Sequence, residues 1–271
     1  MTPETQAPET QAAEQAGPPK IAFMATCLVD LMRPSIGFAA VKLLEDAGCD
    51  VRVPRGQTCC GQPAWNSGDR ANAKRLARRT IEAFEDYDAV VLPSGSCAAT
   101  IIKDYPEMFS AGDRWRARAE KLAAKTFEIT AFLADVLPDA KVAAEAPAGV
   151  GRVTYHDSCS GLRSLGIKDQ PRALLGRVKG VEVSEMAESE VCCGFGGTFC
   201  VKYPEISERM VADKARNAEE SGAELLLAGD LGCLLNMAGR LTREGRPVKA
   251  RHVVEVLAGM TDGPAIGEGS K

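Results

Sequence analysis

Eight of the ten cysteines in this 271-residue chain fall into two sets with nearly the same spacing. Cys27, Cys59, Cys60 and Cys97 are separated by 32, 1 and 37 positions, and Cys159, Cys192, Cys193 and Cys233 by 33, 1 and 40. Random placement does not produce such a register, so the chain reads as an internal duplication whose halves each deliver four thiols. Both halves carry an adjacent pair followed by glycine, Cys59-Cys60-Gly61 and Cys192-Cys193-Gly194-Phe195-Gly196-Gly197. Neighbouring side chains diverge, so such a pair suits two atoms of a polynuclear centre better than one small ion. The glycines let the backbone turn and approach a bulky group without steric cost.

Between the cysteines, short apolar runs alternate with helical patterns. The runs predict strands at 21–26, 50–54 and 89–92, and again at 153–155, 181–183 and 225–228. Helices are predicted at 34–47, from a cap at Ser67 or Asp69 to Phe84, and at 114–124 and 129–137. The second half adds helices at 171–178, 204–221 and 252–257. The fold class that follows is α/β, two pseudo-symmetric βαβ-type lobes with parallel sheets. All eight cysteines then follow strands, and the carboxyl ends of strands are where open α/β sheets bind ligands. The expected organisation is a disordered tail at 1–20, a first lobe at 21–137, and an Ala-, Pro- and Gly-rich linker at 138–151. A second lobe follows at 152–258, with a flexible tail at 259–271.

Composition narrows the chemistry. With 45% apolar and 26% charged residues the chain is neither disordered nor a membrane protein, and no apolar run is long enough for a bilayer. A net charge of −4 gives no general affinity for nucleic acid or anionic lipid. The first residues repeat Pro-Glu-Thr-Gln-Ala and lack the pattern of a signal peptide, so a cytoplasmic location is expected. In that compartment ten cysteines argue for metal or redox chemistry over disulfides.

Four thiolates per half match a tetrahedral zinc site or an iron–sulfur cluster. Structural zinc sites use closely spaced cysteine pairs that converge on one ion, and neither half contains a C-x-x-C. A cluster spreads its irons over several ångströms and is the favoured occupant, with zinc as the alternative. Cys97 is expected at a helix N-terminus, where the dipole favours a thiolate. No nicotinamide or flavin site is legible, because the third glycine of a G-x-G-x-x-G run would fall on Phe199. His156 and Asp157 precede Cys159 closely enough to line the second site, although a histidine satisfying loop backbone groups is the simpler reading. His252 reads as structural, Cys49 as packing and Cys200 as a spare thiol or a fifth ligand. Arg70, Lys74, Arg75, Arg78 and Arg79 form a basic helix face, either solvated or docking an acidic partner. Trp65 either shields the first site or packs in the core.

Longer motifs carry a resemblance. They are Thr26-Cys27-Leu28-Val29-Asp30, Gln57-Thr58-Cys59-Cys60-Gly61-Gln62-Pro63, Pro93-Ser94-Gly95-Ser96-Cys97, the run from Glu190 to Phe199, and Gly232-Cys233. Over residues 20–257 the sequence resembles the cysteine-rich (CCG-domain) iron–sulfur proteins and looks like their lactate-utilization (LutA/YkgE) branch. The resemblance implies one subunit of a cytoplasmic complex, with LutB- and LutC-like partners, that oxidises L-lactate to pyruvate. It implies that the eight cysteines named above ligate iron–sulfur clusters, one per lobe, for electron transfer. The wider CCG pattern closes each motif in C-x-x-C, and in the heterodisulfide reductase B subunit it is associated with a five-cysteine cluster. Here Thr100 and Asn236 stand at the closing positions, so an ordinary four-cysteine cluster, 4Fe-4S, is expected. The rival functions are a heterodisulfide-reductase-like thiol–disulfide reductase and a zinc-binding structural subunit. No lactate-binding constellation and no catalytic residue is legible in this chain.

Overall fold

The computed structural model describes residues 18–269. Most of the tail expected to be disordered lies outside that range, and Lys20 already opens the first strand. The first lobe is a four-stranded parallel sheet of β1 (Lys20–Phe23), β2 (Asp50–Arg52), β3 (Ala89–Leu92) and β4 (Thr126–Glu128), in the order β2-β1-β3-β4. The second repeats it with β5 (Arg152–His156), β6 (Glu182–Val183), β7 (Leu225–Ala228) and β8 (Lys249–His252), in the order β6-β5-β7-β8. The duplicated α/β architecture expected from the cysteine register is therefore present. In each sheet the chain reverses its direction of winding between the two central strands, and that switch point opens a crevice at their carboxyl ends.

Helices in the first lobe are α1 (Cys27–Met32), α2 (Pro34–Asp46), α3 (Gln62–Asn66), α4 (Arg70–Phe84), α5 (Gly95–Ala99), α6 (Tyr105–Met108), α7 (Arg114–Ala123) and α8 (Ile129–Ala131). π-Helical turns at Thr100–Asp104 and Phe132–Val136 continue α5 and α8. The second lobe adds α9 (Cys159–Leu165), α10 (Asp169–Leu175), α11 (Phe199–Lys202), α12 (Pro204–Glu220), α13 (Leu231–Arg243) and α14 (Val253–Leu257). Local chemistry explains the long ones. Pro34 sits in the first turn of α2, whose Ile36, Ala39, Ala40, Leu43 and Leu44 are buried. Asp69, rather than Ser67, caps α4 by accepting from the Asn72 N–H at 3.2 Å.

The sequence reading missed β4, β8 and α13. Thr126–Glu128 and Lys249–His252 hold polar and charged residues and form strands because β3 and β7 offer them an open edge. α13 was legible: Leu234, Met237, Ala238 and Leu241 recur at helical spacing, and all are buried. The strand expected at 21–26 stops at Phe23, and Cys27 begins a helix instead of ending a strand.

Packing ties the lobes together more closely than two domains on a linker. One face of the first sheet, with Ala22, Met24, Val90 and Leu92, packs in its own core with Ala73, Ala77 and Ile81 of α4. The other face, with Ile21, Phe23 and Val91, joins a continuous core that includes Val153, Leu226 and Leu227 of the second sheet. Each lobe's last helical segment contributes to the other lobe. Glu255 of α14 binds Arg33 at 2.9 Å and accepts from Ser35 at 2.8 Å, beside α2. Symmetrically, Gln170 of α10 donates to Asp135 in the π-helical turn after α8 at 2.9 Å. The expected linker is packed down: Ala140 and Val150 are buried, and Ala143 N–H bonds the Leu257 carbonyl at 2.7 Å. The segment expected to be a flexible tail is also fixed, because Ala265 and Ile266 are buried and Ile266 N–H bonds the Ala250 carbonyl at 2.8 Å. Alanine and proline there cover apolar surface where composition suggested a tether.

α5 and α9 cross near the pseudo-twofold, where Gly95 meets Gly161. A Cβ on Gly95 would lie 2.9 Å from the Gly161 Cα, a backbone atom that cannot yield without moving a helix. Gly95→Ala is expected to cost about 1–3 kcal/mol. Thermal denaturation checks this against Gly263→Ala, where a Cβ meets nothing within 4 Å and the midpoint should hold.

Candidate metal centres

Three loops at the carboxyl edge of each sheet carry the cysteines. After β1, Met24 N–H bonds the Val91 carbonyl at 3.0 Å, and Cys27 opens α1 three residues on. The loop after β2 brings Cys59 and Cys60 to Gly61, which at φ +87° turns the chain into α3. Ser94 caps α5, its Oγ accepting from the Cys97 N–H at 3.3 Å, so Cys97 sits in the first turn of a helix as expected. The second lobe repeats the arrangement. Cys159 opens α9, Cys192 and Cys193 precede Gly194 at φ +83°, and Asp230 caps α13 ahead of Cys233. Gly194 needs its missing side chain twice over, since a Cβ there would meet the Ser207 carbonyl at 2.9 Å.

The thiols neighbour one another in the same order in both lobes. Cys59 is influenced by Cys27 and Cys60, and Cys60 by Cys59 and Cys97. Cys192 is influenced by Cys159 and Cys193, and Cys193 by Cys192 and Cys233. Gly61 N–H reaches the Cys59 Sγ at 3.4 Å, and Gly194 N–H reaches the Cys192 Sγ at 3.4 Å. Hydrogen bonds from the neighbouring thiols, Cys27 first, pull Cys59 down to about 2. Cys159 and then Cys193 do the same to Cys192, also to about 2. The bond to the Cys59 thiolate, then burial, pushes Cys27 up; Cys159 rises likewise beside Cys192. Cys60 and Cys193 rise too, through their bonds to the thiolate and to the next thiol and through burial. At Cys233 the Cys193 contact pulls downward, but burial and the Asp230 charge outweigh it and raise the thiol. Ionisation of Cys59 or Cys192 therefore comes at the expense of the thiols beside it. Four can ionise together only around a cationic group, which is the chemistry of a metal centre.

Space at the first site fits a group larger than one ion. A cleft of about 210 Å³ is lined by Cys27, Cys59, Cys60 and Cys97 and closed by Phe195 and Asp230 from the second lobe. A single water needs only about 10–15 Å³ of such volume. The Phe195 ring also lies on Gly232, where a Cβ would fall 2.4 Å from the ring, so one aromatic side chain stands beside both sites. At the second site a ring nitrogen of His156 and the sulfurs of Cys193 and Cys233 lie within 4.8 Å of one another, all three buried.

The His156 ring is fully buried, with the Ser189 backbone of the loop before Cys192 beside it but no well-aligned hydrogen bond to either nitrogen. Burial first, then the Lys214 charge, hold its pKa down to about 3, so it is neutral. Asp157 is fixed by Arg172 in a bidentate pair at 2.8 and 2.9 Å. Lys214 escaped the sequence reading. It is 1% exposed on α12, and its ammonium donates to the Glu188 carbonyl and, at 3.1 Å, to the Ser189 carbonyl in the loop before Cys192. A lysine inside the buried stripe Val211, Lys214, Ala215, Ala218 was the available signal. Glu188 is held at φ +55°, the left-handed region that non-glycine residues avoid.

The remaining candidates sort by their contacts. His252 is structural as expected: it caps α14, its Nδ1 accepting from Val254 N–H at 3.3 Å. Asn236 donates to the Cys193 carbonyl at 2.9 Å and so braces the pair from the closing position. Cys200 donates to the Gly197 carbonyl at 3.4 Å and lines a separate groove with Asn236 and Arg240. Cys49 is buried in the shared core. Trp65 packs against the first core with the Arg70 guanidinium stacked 3.5 Å from its ring centre, and Arg70, Arg75, Arg78 and Arg79 are exposed.

The cysteine-rich domain (CCG) family model matches residues 21–102 and 153–238, one copy per lobe. Lactate utilization protein A of Geobacillus kaustophilus is 49% identical over 238 residues, 88% of this chain and 98% of that protein. The Exiguobacterium protein of the same name is 48% identical over 241 residues, covering 88% and 97%. Among solved structures, a hypothetical protein from Helicobacter pylori aligns over 94% of this chain with a TM-score of 0.62 at 10% identity. This chain spans about half of that structure, 53%, and the likeness bears on fold alone.

The thiolate pattern predicts reactivity in the metal-free chain. At pH 6 iodoacetamide is expected to label Cys59 and Cys192, half-buried and ionised, at least about tenfold faster than buried Cys60 and Cys193. Peptide mass spectrometry reads each position, and equal labelling within a pair would contradict the assignment.

Proposed function

The chain belongs to the lactate utilization protein A group of the cysteine-rich (CCG) domain family, and we propose that it is an iron–sulfur electron-transfer subunit of a lactate-oxidising complex. The observation that carries this reading is the pair of four-thiol sets, each with the same order of sulfur contacts at a strand-end crevice. Cys27, Cys59, Cys60 and Cys97 would hold one cluster, and Cys159, Cys192, Cys193 and Cys233 the other. Four-iron clusters, when bound, take up and release single electrons, so two of them accommodate the pair released as L-lactate becomes pyruvate. The chain's own groups supply the thiolates, donate Gly61 and Gly194 N–H groups to sulfur, and exclude water with Phe195 and the buried core.

The alcohol chemistry is assigned to partner subunits of the LutB and LutC kind. Removing the proton and hydride equivalents of a 2-hydroxy acid calls for an accessible base. The chain's two histidines, His156 and His252, are both fully buried. No described helix is long and apolar enough to cross a membrane.

Anaerobic purification with iron, zinc and sulfide counted per chain tests the reading. About eight irons and eight sulfides are expected, with paramagnetic signals on dithionite reduction. Cys60→Ser and Cys193→Ser should each remove about half of the iron and one signal. Zinc without sulfide would sink the electron-transfer function, and loss of all iron in either variant would refute independent sites.

A further inference from the structure

The two sulfur sets are alike, and their surroundings are not. Three residues before Cys27 stands Met24; three before Cys159 stands His156. The long helices align through the glycines that abut them. Gly61 lies against Ala73 and Leu76 of α4, Gly194 against Ser207 and Met210 of α12, which places Thr80 opposite Lys214. All four residues are at most 1% exposed. The second site thus has an imidazole and an ammonium where the first has a thioether and a hydroxyl.

Neither group is spent on another partner of its own kind. Both ring nitrogens of His156 lack a hydrogen-bond partner, and one lies within 4.8 Å of the Cys193 and Cys233 sulfurs. The Lys214 ammonium bonds two neutral carbonyls. Of the nearby carboxylates, Asp157 is claimed by Arg172 through two hydrogen bonds, and Glu188 is exposed and takes a bond from Asn217. Lys214 acts electrostatically on Cys192, Cys193 and Cys233 alike. Asp230 adds the opposite sign to the first site, where its carboxylate lines the cleft and accepts from Ser96 N–H at 3.0 Å. Its charge also reaches Cys233, so the difference between the sites rests on His156 and Lys214.

We propose that His156 and Lys214 hold the second centre at a higher reduction potential than the first, making it the electron-accepting end of the pair. This rests on the iron–sulfur reading above. A positive charge in a low-dielectric interior stabilises the added electron, and so does an imidazole that turns its N–H toward sulfur. The step is a single electron leaving the reduced first centre and entering the oxidised second, with no bond or proton transferred. Both residues tune the centre without being assigned as ligands.

The test is redox-poised EPR of the loaded full-length chain, with the two signals assigned through Cys60→Ser and Cys193→Ser. His156→Met and Lys214→Thr install the first lobe's residues. Each is expected to lower the second midpoint by about 59 mV or more, a tenfold change in the reduced-to-oxidised ratio. The first midpoint and the iron and sulfide contents should hold, and Lys214→Arg should restore the wild-type value. Lys214 also pins the loop before Cys192, so if Lys214→Thr loses iron the decision passes to His156→Met, which breaks no hydrogen bond. A second midpoint unmoved by His156→Met, or lying below the first in the wild type, overturns the proposal while leaving two clusters in place. Wild-type protein without iron and sulfide instead overturns the reading beneath it, and metal analysis shows this before any potential is measured.

Discussion

Four thiols gathered at one strand-end crevice resist ionising together, and this repulsion shapes both sites. Cys59 and Cys192 are held low by their neighbours, and the same interactions together with burial push Cys27 and Cys159 up. The scaffold around them accepts that cost. Parallel strands end at one edge, glycines bring backbone N–H groups onto sulfur, and helices begin at or just before the remaining cysteines, those at Cys97 and Cys233 capped by Ser94 and Asp230. A cationic inorganic group relieves the repulsion in one step, so much of the stability of these loops resides in the metal-bound chain.

That constraint also explains why the lobes are not independent. Asp230 caps α13 in the second lobe while its other oxygen accepts from Ser94 and Ser96 beside α5 in the first. Phe195 belongs to the second pair's glycine turn and closes the first site's cleft. The continuous core and the glycine crossing of α5 and α9 fix the separation of the two sulfur sets. For the electron-transfer role proposed above this matters, because transfer between centres depends on distance, and here distance is set by packed side chains.

The sequence made the architecture legible wherever one demand dominated. Ligand geometry fixes cysteine spacing, so the duplication shows in the residue numbers. Buried central strands such as Ala89–Leu92 and Leu225–Ala228 are apolar throughout and were read directly. β4 and β8 were invisible because pairing to a neighbour, and no property of their own residues, makes them strands. The linker and C-terminal segment misled because alanine, proline and glycine serve equally in a tether and in a close-packed strap. At the sites, the thiols were recognisable by type. His156 acquires its meaning from burial beside the sulfurs, and Lys214 from a buried ammonium held by two backbone carbonyls, which no spacing records.

The exchange of terminal helices sets a timetable. Arg33 and Glu255 are 222 positions apart in the chain, yet they bind beside the first long helix. While the protein is being synthesised, the apolar flank of α2 has no α14 to cover it until Val253–Leu257 have emerged. The N-terminal half must therefore wait, partly open, with Cys27, Cys59, Cys60 and Cys97 already made. Such a delay leaves the first four cysteines exposed until Phe195 and Asp230, which line their cleft, have been made and packed.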